Sequence, residues 1–313
     1  LARSLSRSID ARVTSVIPRG NAPIGAAASN LRLSSDQDTM PSSTQHLRLA
    51  VAGLGAIGLA VARRVDAGAV PPMRLAAVSA RDPDKARKIL AALRAPPPVL
   101  GLAALADAAD VIVECLPSRH FAEVAEPAVA AGRIFMPLSV GALLDHMHLV
   151  ERARETGARI IVPTGALLGL DAVRAAAEGT IRSVTLETRK PPAGLAGAPL
   201  LAERGISVEG LTRPLLVFEG SAREAIAGFP ANVNVAVALS LAGIGPDATR
   251  VEIWADPGVT RNTHTVIVKS DSSDLTMRIE NIPSPENPRT GAITALSVLA
   301  ALRRLTAPLV VGS

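Results

Sequence analysis

Hydrophobic and polar positions along the chain follow two regimes, and the change comes near Gly179. Before it, short apolar runs, many of them β-branched, alternate with stretches of helical spacing. LRLAVA (47–52), MRLAAVS (73–79), VIVECLP (111–117), RIFMPLS (133–139) and RIIVPTG (159–165) read as strands, and 56–67, 83–93 and 121–132 as helices. Strands that are apolar almost throughout are buried on both faces, so the intervening helices must cover the sheet; this predicts a parallel, doubly wound α/β arrangement.

After Gly179 the strands alternate with period two: TIRSVTLETRKPP (180–192), TRVEIWADP (249–257) and THTVIVKSDSSDLTMRIENIP (263–283). FPANVNVAVALSLAG (229–243) and TGAITALSVLAALRRL (290–305) are helical. This predicts a mixed α+β second domain whose sheet has one covered face, with the last apolar helix, 291–305, packing back across the first domain.

The first 39 residues keep no hydrophobic period and are rich in Ser, Arg, Gly and Ala. Such a segment buries too little apolar surface to order itself, and we expect translation to begin at Met40 with an unfolded extension upstream of it. The Arg/Ser bias resembles an organelle transit peptide, but Asp10, Asp36 and Asp38 run against that reading.

Composition narrows the function classes. With 48% hydrophobic and 19% charged residues the chain is globular, and the apolar runs fall short of the roughly 18 residues of a membrane helix, so a soluble protein without a membrane partner is expected. Of 33 Lys and Arg residues only four are Lys, and they are scattered; with 2% aromatic residues and no Tyr there are few stacking platforms, which excludes nucleic acid as the expected partner. The net charge of +5 suits an anionic cofactor and an acidic small substrate. A single cysteine, Cys115, excludes an intramolecular disulfide and a Cys-rich metal site, and the cytoplasm is the expected compartment.

GLGAIG stands between the first predicted strand and the first predicted helix. Gly53 allows the tight turn, Gly55 lets a pyrophosphate approach the backbone and Gly58 lets helix and strand pack closely, while the helix start at Ala56 and Ile57 faces the anion. The predicted organisation is a disordered extension over 1–45, a dinucleotide-binding Rossmann domain over 46–165, an α+β substrate and dimerisation domain over 166–290, and a C-terminal helix over 291–313 on the Rossmann domain. In NAD-using sites an acid about 20 residues past the glycines holds the adenine ribose. Here the second strand ends in Ser79, Ala80 and Arg81, and Asp82 before Pro83 reads as a helix N-cap. Ser79 and Arg81 are suited to a 2′-phosphate, or Arg81 is a solvated loop tip. The expected cofactor is NADP or NAD, leaning to NADP.

Five histidines are the main candidates for chemistry. His146 and His148 lie two apart and point to different faces, so no joint metal ligation is expected. His120 opens a helix near the carboxyl edge of a parallel strand, where it touches the cofactor or is an ordinary helix-start residue. His264 follows a loop rich in Asp, Pro, Gly and Asn: it faces an interdomain cleft as a catalytic group, or it is a cross-strand surface residue. Cys115, in an apolar strand end without a nearby cation, reads as a small buried hydrophobe rather than a thiolate nucleophile.

Taken together, GLGAIG, ECLPSRHFAEVAEPAV, VPTGALLGLDAV, TLETRKPP, FPANVNVAVALSLAGIG, ADPGVTRNTHTV and NIPSPENPRTGAITALSVLAAL resemble, in that order, the L-aspartate dehydrogenase family, from residue 47 to the C-terminus. The resemblance implies oxidation of L-aspartate to iminoaspartate with NAD or NADP, hydrolysis to oxaloacetate and ammonia, and a homodimer that feeds NAD synthesis or interconverts aspartate and oxaloacetate. It implies that His264, in the NxH element, is the active-site residue, and that Ala166 and Asn234 contact the cofactor. The departure from the family pattern is Ser79, where NAD-using relatives commonly carry an acid.

This chemistry needs a neutral substrate amine, so a base with a pKa near 7 is expected at His264, which would also guide the hydrolytic water. The two substrate carboxylates need cations or helix-start N–H groups; Asn287, Arg289 and Thr290 before the last helix, and Arg189 with Lys190, are the available groups. Helix capping by Thr290 and a solvated Arg–Lys pair explain the same letters. The competing functions are another two-domain reductase, of the homoserine dehydrogenase or dihydrodipicolinate reductase kind, and a nonenzymatic NADP(H)-binding sensor.

Overall fold

The computed structural model describes residues 46–229, 233–285, 287 and 290–312, and the extension expected over 1–45 lies outside them. The first sheet is built from β1 (Arg48–Ala52), α1 (Ala56–Asp66), β2 (Arg74–Ser79), α2 (Pro83–Leu90), α3 (Leu105–Ala108), β3 (Val111–Glu114), α4 (Phe121–Ala130), β4 (Ile134–Pro137), α5 (Val140–Leu143), α6 (His148–Thr156) and β5 (Arg159–Ile160). Its strand order is β2-β1-β3-β4-β5 and every pairing is parallel. β3 is buried along its whole length, which is why its sequence shows no alternation. Leaving β1, the chain goes to one side for β2 and to the other for β3, so the carboxyl ends of β1 and β3 flank the crevice where such sheets take ligands.

Asp82 caps α2 through a bond from the Lys85 N–H, with Pro83 as first helical residue. The helix ends at Leu90, three residues before its predicted end, because the chain must reach the extended run at Pro98, whose carbonyl accepts the Val78 N–H.

The second sheet follows α7 (Leu170–Ala177) and contains β6 (Ile181–Lys190), α8 (Pro199–Glu203), β7 (Leu215–Ser221), α9 (Ala222–Gly228), α10 (Asn234–Ala242), β8 (Thr249–Ala255), β9 (Thr263–Ser270) and β10 (Asp274–Glu280). The order is β10-β9-β6-β8-β7; β6 and β8 are parallel and the remaining pairs antiparallel. The inner face carries Val184, Leu186, Val251 and Val266 against Val173 of α7, Leu239 of α10 and Phe229 just past α9. The outer face is polar and paired, with Arg189 on Glu187 and Arg250 on Glu219. β7 carries no clear period-two signal in sequence; it forms as an edge strand on β8 and leads directly into α9 through a Ser221–Glu224 capping box.

α11 (Ile293–Arg304) leaves the second sheet and returns to the first, where Val298, Leu299 and Leu302 join Val61, Ala62 and Val65 of α1 in one core. Its N-cap position is Ala292 and no side chain caps it, so Thr290 is not its cap. Both sheets belong to one compact unit. No helix among the described residues is long and apolar enough to cross a membrane.

Leu302 is fully buried in the α1–α11 contact. Leu302→Ala is expected to destabilise the fold by about 2–5 kcal/mol through lost burial and the cavity left behind, read from denaturant unfolding; a change within about 0.5 kcal/mol would show that α11 does not support the core.

Candidate active site

The glycine turn is shaped by close approaches. Gly53 has φ +98°, and a Cβ there would lie 2.8 Å from the Cys115 carbonyl oxygen. A Cβ on Gly58 would sit 1.9 Å from the Gly53 carbonyl, so α1 can only lie this near β1 with glycine at that position. Gly55 differs: its Cβ would enter open space, and no side chain caps the first N–H groups of α1, around Ala56 and Ile57. Room beside an uncapped helix start fits a dinucleotide pyrophosphate. The Gly53 N–H donates to the Ser79 carbonyl (2.8 Å), so buried Ser79 holds the turn through its backbone, while Arg81 is exposed at the tip of β2.

Sequence reasoning missed Glu114, at the end of β3. It is fully buried, and its carboxylate accepts the N–H groups of Leu116 (2.6 Å) and Ser139 (3.0 Å), tying the ends of β3 and β4 together. Burial raises its pKa against the lowering effect of these bonds. The signal was an acid inside an otherwise apolar strand. Half-buried Cys115 stands next to it, and desolvation, then the Glu114 charge, pushes the thiol up, away from nucleophilic use.

The segment 163–166 forms the opposite wall and is held from two distant places. The Gly165 N–H donates to Ser297 Oγ of α11 (3.0 Å), and Asn281 Nδ2 donates to the Ala166 carbonyl (3.0 Å). Asn281 Oδ1 is buried with no hydrogen-bond partner among the described residues, and Asn281 too escaped the sequence reading. Asn234, the first residue of α10, accepts the Gly141 N–H on its Oδ1 (3.0 Å) and so fastens α10 to α5.

β6 and β9 bring the polar groups in. His264 is opposite Thr188 in the antiparallel register, and His264 Nδ1 lies 3.0 Å from Thr188 Oγ1. Lys190, two residues beyond Thr188, shares its face of the sheet, as strand geometry requires. All three are buried, with His264 3% and Lys190 5% exposed. Burial, and secondly the Lys190 charge, pushes His264 down to about 3; burial lowers Lys190 to about 8. His264 is therefore neither a surface histidine nor a base poised near 7: desolvation in this pocket keeps it neutral.

One cavity is lined by Ile57, Ala166, Lys190, Asn234, His264 and Thr290, residues drawn from six separate segments. The neighbouring Arg189 points the other way, pairing with Glu187 and Asp256 and stacking on Trp254. The two residues are thus not a solvated pair, because adjacent strand positions face opposite sides. Asn287 is not among the lining residues and donates from Nδ2 to Thr290 Oγ1 (3.1 Å), and Arg289 lies outside the described residues. His120 is outside the cavity, with Nδ1 2.7 Å from Glu123 Oε1. His146 and His148 are bonded separately, to the Ala142 carbonyl and Glu126. No cluster of three or more His, Cys, Asp or Glu suited to a metal ion occurs among the described residues.

Comparison with known proteins divides the chain along the same lines. Residues 53–163 match a family model described as "Homoserine dehydrogenase, NAD binding domain", and residues 171–305 one described as "Aspartate dehydrogenase, C-terminal". The chain is 56% identical over 272 residues to L-aspartate dehydrogenase 3 of Bordetella bronchiseptica, covering 87% of this chain and all of that protein. It is 55% identical to the L-aspartate dehydrogenase of Bradyrhizobium diazoefficiens, covering 88% of this chain and 97% of the relative. Among solved structures it is similar to an aspartate dehydrogenase from Thermotoga maritima, with a TM-score of 0.65 and 25% identity over 85% of this chain and all of that one.

The folded pKa of His264, about 3, lies below its ordinary 6.5, so between these values the unfolded chain binds more protons and stability falls as pH drops. His264→Gln is expected to flatten this part of the stability curve, read from denaturant unfolding at stepped pH; an unchanged slope would count against a buried neutral imidazole.

Proposed function

Because the chain belongs to the L-aspartate dehydrogenase family, we propose that it oxidises L-aspartate to iminoaspartate, which water then converts to oxaloacetate and ammonia. The observation that carries this reading is the cavity that brings His264 together with the 163–166 segment and the start of α1. Residues 46–165 are assigned to cofactor binding, 166–290 to the substrate and to dimerisation in a homodimer, and 291–313 to the returning helix.

Gly53, Gly55, Ala56, Ile57 and Gly58 hold the pyrophosphate, and Ala166 and Asn234 meet the nicotinamide end. When bound, the nicotinamide supplies the acceptor for the hydride that leaves the substrate Cα. His264, steadied by Thr188, faces the reacting carbon as a neutral imidazole and orients the hydrolytic water. Thr290, backed by Asn287, offers a hydroxyl to a substrate carboxylate. Arg189 and His120 are not part of this assignment, since their side chains are bonded elsewhere. The match of residues 171–305 to the aspartate dehydrogenase model favours this activity over the homoserine alternative, whose likeness is confined to the cofactor-binding part.

Exposed Arg81, with Asp82 engaged as a helix cap, supports NADP over NAD. Purified protein with L-aspartate and either dinucleotide is expected to produce the reduced nicotinamide absorbance, and to consume it with oxaloacetate and ammonia; no turnover in either direction would end the proposal. Arg81→Ala is expected to raise the KM for NADP at least five-fold more than that for NAD, and equal effects would count against a phosphate contact at Arg81.

A further inference from the structure

The inner face of β6 reads Val184, Leu186, Thr188, Lys190: two core residues, the partner of His264, and a buried cation. Lys85, Lys88 and Lys269 are exposed, and Lys190 alone among the chain's four lysines is buried. Nearly every other cationic position is Arg. A cation kept solely to grip a carboxylate is better served by the guanidinium, which offers a planar fork and never loses its proton. Lysine is the cation that can give its proton up and take another back.

The cavity adds a second constraint. Lys190 and His264 are the charged or titratable groups among its described lining residues; those from α1, the 163–166 segment and α10 are uncharged. On the strand ends, Asp256 donates its backbone N–H to the Lys190 carbonyl, and its carboxylate is taken by Arg189 and the Gly258 N–H. Among the described lining residues, proton transfer from a substrate ammonium therefore has two possible acceptors. His264 is the weaker one, being held far below Lys190 by the same burial.

We propose that Lys190 is the catalytic base that takes the proton from the α-ammonium of the substrate, leaving His264 to orient water. This assignment rests on the aspartate-oxidising function proposed above. Neutral Lys190 Nζ binds the proton as the substrate N–H bond breaks, and the electron pair stays on nitrogen. That pair forms the C=N bond as hydride leaves Cα for the nicotinamide. Water held at His264 adds to the protonated imine, the carbon–nitrogen bond breaks, and ammonia departs as ammonium. Lys190 releases its proton to solvent, and this accounts for the one proton formed per turnover.

The test compares Lys190→Arg, Lys190→Met, Lys190→Ala and His264→Gln with the wild type, after dinucleotide binding by fluorescence has shown that each variant folds with its cofactor site intact. The wild-type kcat/KM for L-aspartate is expected to rise with pH through an inflection near 8. Lys190→Arg, which keeps the charge but cannot act as a base, should lower kcat at least 100-fold, as should Lys190→Met. In Lys190→Ala, methylamine should restore rate in proportion to its neutral form. The 15Nζ resonance lost in Lys190→Met should titrate near pH 8 in the wild type without substrate. Lys190→Arg retaining more than a tenth of kcat with a raised KM would overturn the assignment in favour of a carboxylate anchor; loss of the inflection in His264→Gln with its survival in Lys190→Met would return the base to His264. A wild-type enzyme without aspartate turnover would instead refute the proposed function, so the two failures are distinguishable.

Discussion

The antiparallel pairing of β6 with β9 is the constraint on which the site depends. It sets His264 opposite Thr188 and, by strand alternation, puts Lys190 on the same face. A one-residue slip of β9 would send His264 to the charged outer face, and one of β6 would put Arg189 in place of Lys190 on the inner one. The register is secured by the same strands' apolar positions: Val184 pairs with Val268 and Leu186 with Val266, all buried under the helices. The hydrophobic core and the chemistry are thus specified by one alternation, with its apolar half setting the position of its polar half.

The second requirement is that this sheet meets the nucleotide-binding one. Contacts over large sequence separations do this work. Ser297 of α11 accepts the Gly165 N–H, Asn281 after β10 holds the Ala166 carbonyl, and Asn234 of α10 fastens to Gly141. Each bond reaches the stretch of chain that follows a parallel strand, from an element of the second sheet or the returning helix. α11 closes the arrangement by burying Val298 and Leu302 on α1, the helix that starts at the glycine turn.

Burial then sets the electrostatics. Charged groups taken from water lose solvation, and a site that gathers His264 and Lys190 lowers both, the imidazole further because the lysine adds a like charge. Glu114 responds with the opposite sign at the end of β3, where desolvation raises a carboxyl despite several N–H donors. Neither effect is visible in residue identity, since both come from what the fold packs around the group.

Much of this was legible in the chain itself. The nearly continuous apolar runs of β1 and β3 and the GLGAIG turn specify a doubly wound sheet with a pyrophosphate seat, because Gly53 and Gly58 answer to local contacts no other residue tolerates. The period-two strands after Gly179 specify the second sheet and its covered face. β7 was not legible, since as an edge strand it is defined by the partner it pairs with. Nor was the fate of TRKPP, where Arg189 and Lys190 look like one solvated pair and the sheet sends them to opposite faces. Local sequence determined the turn, the strand periods and the chemistry on offer; only the tertiary structure decided which groups share a desolvated cavity, because that follows from long-range register and burial.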